Sequence, residues 1–163
     1  MNVEKHHGGW VILLSFIFSF MLAIIPLPIW ATIWRPDWVE MVLIYWCLAI
    51  PQRIGIITAF HIGIIYDVLH NSLLGQHALF FSLIAYISIK LHRQIRLFPL
   101  WQQAIVIFGL ITITHLLNII INSILGHPPL VLVSFIYEGL SSMLLWPWLF
   151  IILRDMRRTY NVY

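Results

Sequence analysis

The sequence is short of charge. Only 9% of its 163 residues are Asp, Glu, Lys or Arg, while 61% are hydrophobic. A soluble domain carries roughly 25% charged residues. A soluble fold of this length must wet its outer face and has no room to hide so much apolar surface; lipid removes that requirement. Cysteine is scarce too: the single Cys47 lies in an apolar run, which excludes a disulfide framework. The short signatures of catalysis are missing, with no G-x-S-x-G, P-loop, H-E-x-x-H or Cys/His ligand spacing. His61, His70, His77 and His115 lie in or near apolar runs without a converging pattern, so spacing alone indicates no metal, haem or other cofactor and no enzyme. The net charge of +3 does not point to nucleic acid, because nearly all basic residues flank apolar segments.

What is present is a series of apolar runs. They cover roughly 10–29, 37–50, 54–70, 77–92, 101–125 and 131–153, which predicts one all-α integral membrane domain of about six transmembrane helices. Punctuation separates them: Arg35-Pro36-Asp37, Pro51-Gln52-Arg53, Asn71 to Gln76, the basic stretch Arg93 to Leu100 with Pro99, and Gly126-His127-Pro128-Pro129. The first run follows Lys5, His6 and His7 and ends in Pro26 and Pro28 without a small-x-small cleavage site, so it is expected to stay as a signal anchor.

With the N-terminus placed in the cytoplasm, eight of the nine basic residues fall inside: Lys5, Arg53, Lys90, Arg93, Arg96, Arg154, Arg157 and Arg158. Only Arg35 falls outside. That asymmetry predicts two cytoplasmic termini and an even number of spans. The inner basic residues also suit anionic membrane lipid, at roughly 1 kcal/mol per charge. Trp10, Trp30, Trp34, Trp38, Trp101, Trp146 and Trp148 lie near predicted helix ends, and Trp46 near the inner end of the second helix, positions expected for interfacial anchors.

Two polar patterns interrupt the apolar runs. In the third run Gly55, Ala59, Gly63 and Asp67 recur every four residues and share one helix face. Small residues there allow close backbone approach, either inside the chain or to another subunit, a second copy included. Asp67 is an intramembrane acid, which makes it a functional candidate, and His70 at i+3 is a possible partner. In the last two runs the stripes Thr114, Asn118, Asn122 and Ser134, Glu138, Ser142 match in depth around the 126–130 turn. This register predicts Asn118 opposite Glu138, Asn122 opposite Ser134 and Thr114 opposite Ser142, with Glu138 buried and hydrogen-bonded.

Several ordered motifs carry a resemblance: Arg35-Pro36-Asp37-Trp38, Tyr45-Trp46, Pro51-Gln52-Arg53, the run Gly63-xxx-Asp67-xxxxxxx-Gly75, Ala85-Tyr86, Trp101-Gln102-Gln103-Ala104 and Leu145-Trp146-Pro147-Trp148-Leu149. In this order and spacing the chain resembles the MreD family of rod shape-determining proteins over nearly its whole length. The resemblance implies a non-enzymatic protein of the bacterial cytoplasmic membrane. It implies association with MreC and, through it, with the MreB filament and with RodA and its class B penicillin-binding transpeptidase, in a complex that directs lateral peptidoglycan synthesis and maintains rod shape. It implies a fold like the six-helix substrate-binding component of energy-coupling-factor transporters, which transfers no ligand by itself. A partner surface is expected to include Gly55, Ala59, Gly63 and Asp67, extended by Arg35 and Asp37, which stand near enough to pair with each other or with a partner. A competing function, a vitamin-type small-molecule binding component of a transporter, requires a closed pocket with polar walls in the outer half, where Asn118, Asn122 and Glu138 lie.

Overall fold

The structure, a computed structural model, describes residues 8–126 and 134–162. The described residues form helices and connections without a strand. The helices are α1 (Gly9–Ile24), the single-turn α2 (Ile29–Thr32), α3 (Trp38–Ala49), α4 (Ile56–His70), α5 (Gln76–Ile95), α6 (Leu100–Ile124) and α7 (Ser134–Thr159). The six longer helices follow the apolar runs closely. The first is shorter than expected, because Pro26 and Pro28 stop α1 and the chain re-forms only one turn, α2, before Arg35. The last runs beyond the apolar segment, and its final turn carries Arg157 and Arg158, where cations suit the negative end of the helix dipole.

Local chemistry sets the other ends. Asn71, in the left-handed region at φ 51°, closes α4. Pro99 precedes α6 with its φ already at −62°. Gly126 follows α6 at φ 81°. The rest of the expected turn at 126–130 lies outside the described residues.

Helix α3 is the hub. Every residue from Val39 to Leu48 is buried, and α1, α5, α6 and α7 all pack around it. A helix apolar on all sides needs such a position. Its 12 residues rise about 18 Å, well short of the ~30 Å hydrocarbon core of a bilayer. Both ends of α3 therefore meet polar groups within the bundle. At its C-terminal end, Arg157 donates to the Ala49 carbonyl at 3.5 Å and Arg96 donates to the same oxygen. Trp10 and Tyr160 meet edge to face at 4.8 Å, bringing the start of α1 and the end of α7 together.

α6 (Leu100–Ile124) and the Phe135–Thr159 stretch of α7 are long and apolar enough to cross a membrane, and only 28% of the apolar window of each is buried. The outer surface is correspondingly apolar: Ile29 is 91% exposed, Leu97 85% and Trp148 73%. Patches of this extent call for lipid or a partner. The tryptophans divide. Trp10, Trp30, Trp34, Trp101 and Trp148 are exposed, as anchors would be. Trp46 and Trp146 are fully buried instead. The Trp46 indole donates to Ser15 Oγ at 2.8 Å and that of Trp146 to Gln103 Oε1 at 3.4 Å. Their N–H groups found partners in neighbouring helices, so the rings pack as core.

Candidate functional site

The Gly63, Asp67, Gly75 motif is one structural unit at the α4–α5 turn. A Cβ added to Gly63 would lie 2.3 Å from Ala78 Cα and 2.5 Å from Ala78 N, so the glycine lets the start of α5 rest directly on α4. Four residues on, the fully buried Asp67 carboxylate accepts hydrogen bonds from Gly75 N at 2.8 Å, His77 N at 3.0 Å, Ala78 N at 3.4 Å and Ser72 Oγ at 2.7 Å. The first N–H groups of a helix have no partner within it, and an acid there suits the dipole. Asp67 thus caps α5 from a neighbouring helix. Gly75 supplies the left-handed φ of 97° that leads from the turn into α5. The partner of Asp67 is His77, with Nδ1 at 2.7 Å, and not His70, whose ring stacks on Tyr66 at 4.0 Å. The face of Ala59, Gly63 and Asp67 is consequently filled by the chain itself; of the four residues on it, only Gly55 has open space around it.

Beside this unit, at the end opposite Ala49, lies a pocket of about 360 Å³. The start of α3 contributes Asp37 and Glu40; α4 contributes Tyr66 and His70; α6 contributes Thr114, His115, Asn118 and Asn122; α7 contributes Glu138. His115 Nε2 lies 2.9 Å from Asp37 Oδ2 and 3.3 Å from Glu138 Oε2. Glu40 is 3% exposed, and its Oε1 accepts from the Thr114 hydroxyl at 2.7 Å. The Asp37 backbone N–H donates to Ser142 Oγ at 3.0 Å, and the Ser142 hydroxyl donates to the Glu138 carbonyl at 2.8 Å, which ties the start of α3 to α7.

Thr114, Asn118, Asn122 and Glu138 of the two polar stripes line the same pocket, but their hydrogen-bond partners are other than depth alone predicts. Gln76 Nε2 donates to Asn118 Oδ1 at 2.7 Å, and the Asn122 amide donates to the Asn118 carbonyl at 2.9 Å. Among the described contacts no bond joins Asn118 to Glu138. Thr114 turns to Glu40 rather than Ser142. The side chain of Ser134 lies outside the described residues. Arg35 does not pair with Asp37 among these contacts: its guanidinium donates to the Ala23 carbonyl and, at 2.8 Å, to that of Ile25. The sequence pattern singles out no role for Glu40 and no converging partner for His115, which the structure places against Asp37 and Glu138. Glu40 is an acid one turn beyond Asp37 inside an apolar run, and His115 shares the α6 face of Asn118 and Asn122; both signals were present.

Fold and site together define an all-helical protein, among the described residues, with two helices long and apolar enough to cross a membrane, arginines gathered at one end of α3 and a polar pocket at the other. The family model for the rod shape-determining protein MreD matches residues 4–156. A rod shape-determining protein MreD from Haemophilus influenzae is 34% identical over 155 residues, covering 94% of this chain and 95% of that protein. The chain belongs to the MreD family, and its role is in determining rod shape. No solved structure matches it.

Proposed function

We propose that this chain is a non-enzymatic membrane scaffold of the bacterial cell-elongation complex. In this reading it spans the cytoplasmic membrane about six times with both termini in the cytoplasm. It helps MreC, MreB and the pair of RodA and its class B penicillin-binding transpeptidase to direct lateral peptidoglycan synthesis. The family match over residues 4–156 carries the reading. The short connections between the described helices support it, since they leave the exposed helix walls as the main surface a membrane partner can meet. Crosslinking in the native rod-shaped cell, followed by capture of this chain, tests it. MreC should be recovered with it; a capture free of MreC at normal membrane levels of the chain contradicts the scaffold.

One observation favours a second reading, that of a small-molecule binding component: the 360 Å³ pocket has polar walls, including Glu40, Asn118 and Glu138. A vitamin-class compound released from protein purified from its native membrane would support it. Its absence under conditions that retain bound lipid would count against it.

A further inference from the structure

We propose that Asp37, His115 and Glu138 form a binding site for one divalent transition-metal cation of the zinc class, with an open coordination position facing the pocket. The inference is independent of the scaffold reading. Each residue offers one ligand atom, and the three atoms lie within 4.8 Å of one another. They come from three elements, the N-terminal cap of α3, the middle of α6 and the first turns of α7. Local packing brings them to one point, so no ligand spacing is visible along the chain.

The convergence is better suited to a cation than to hydrogen bonding alone. One ring nitrogen, His115 Nε2, faces two carboxylates at 2.9 and 3.3 Å. A single N–H serves one acceptor well and leaves the second carboxylate with a repulsive neighbour. A metal ion bound at about 2.0–2.2 Å from each ligand satisfies all three at once, and tetrahedral geometry at that bond length separates ligand atoms by about 3.4 Å. The 3.3 Å distance already meets this, the 2.9 Å distance needs to open by a few tenths of an ångström, and the two carboxylate oxygens, within 4.8 Å of each other, settle to the same spacing by side-chain rotation.

Charge and support point the same way. The pocket wall holds the three carboxylates Asp37, Glu40 and Glu138, and the cation among its lining residues, Arg35, is turned to the carbonyls of Ala23 and Ile25. Asp37 and Glu138 are held in mutual register through Ser142, which binds the backbone of both. Such outer contacts fix ligands in place before the ion arrives. One imidazole with two carboxylates suits zinc better than calcium or magnesium, which favour oxygen ligands alone. Three protein ligands leave a fourth position for water or a small donor, here on the side of the 360 Å³ space.

The test uses the full chain without an affinity tag, in nanodiscs, with His6→Gln and His7→Gln in the background so that the N-terminal imidazoles contribute nothing. After chelator treatment the protein is titrated with Zn²⁺ by calorimetry and with Co²⁺ by visible absorption. The expected result is one saturable Zn²⁺ per chain, four-coordinate Co²⁺ bands, and no displacement by excess Mg²⁺ or Ca²⁺. His115→Gln and Glu138→Gln, close in shape to the originals, should each weaken Zn²⁺ binding at least about tenfold while the elution volume and melting profile stay unchanged. His61→Gln, on the exposed face of α4, should bind as the parent does. Absence of saturable binding, or His115→Gln binding as tightly as the parent, overturns the site.

Discussion

Gly63 and Ala78 are in backbone contact: the space a Cβ on Gly63 would need is held by the Cα and N of Ala78. Neither atom is the end of a flexible side chain that can swing away. Gly63→Leu should therefore push α4 and α5 apart and cost about 1–3 kcal/mol or more. Ile62→Leu, a volume-conserving change at the adjacent buried position, should cost less than about 1.5 kcal/mol. Thermal melts in detergent and membrane levels compare the two; equal effects would remove the close-contact argument.

Asp67 should tolerate little. Asp67→Asn keeps the shape but replaces one acceptor oxygen with an N–H donor facing the backbone donors of Gly75 and Ala78. Leaving such groups unsatisfied costs about 1–3 kcal/mol. Ser72→Ala removes one neutral donor among several and should cost about 1 kcal/mol. Amide exchange at residues 75–78 should quicken in Asp67→Asn and stay near the parent rate in Ser72→Ala.

Glu40 and Thr114 join α3 to α6 by a buried bond of 2.7 Å. Glu40→Gln retains an acceptor for the hydroxyl and should leave the melting profile close to that of the parent. Glu40→Leu should lower stability by about 1–3 kcal/mol, because the Thr114 hydroxyl loses its partner across the interface. If both variants melt alike, the bond contributes nothing.

The arrangement of ends predicts a topology. Arg96 and Arg157 share the Ala49 carbonyl, so the connection at 96–99 and the end of α7 belong to one side, and residues 71–75 to the other. Cysteines placed at residue 97 and residue 73, in a Cys47→Ala background, should differ in labelling of intact spheroplasts. Residue 73 should react with a membrane-impermeant maleimide and residue 97 only after lysis. The reverse pattern would invert the orientation.

Much of the architecture was legible because helix ends are written in local chemistry. Pro26 and Pro28, Asn71, Pro99 and Gly126 stop or start helices through their own backbone preferences, and α4 runs to His70 as the apolar pattern predicts. Rotation about a helix axis is not local. Matching depths set Asn118 and Glu138 at one level, yet Asn118 turns to Gln76 and Asn122, and Glu138 turns to His115. Nearness to a helix end likewise failed to distinguish exposed Trp148 from buried Trp146. Those two differ in which face of α7 they occupy, and that depends on the neighbours. The small-residue face of α4 left two occupants open, and α5 takes that place at Gly63 and Asp67 through the cap that Asp67 provides.

If this chain maintains rod shape, its depletion must change the dimensions of the cell. Its native rod-shaped host should carry the only copy under a repressible promoter, with length and width measured over successive doublings. Cells should widen and round as the protein disappears, and a plasmid copy of the parent sequence should restore the rods. Unchanged length-to-width ratio after the protein has fallen below detection would contradict that role.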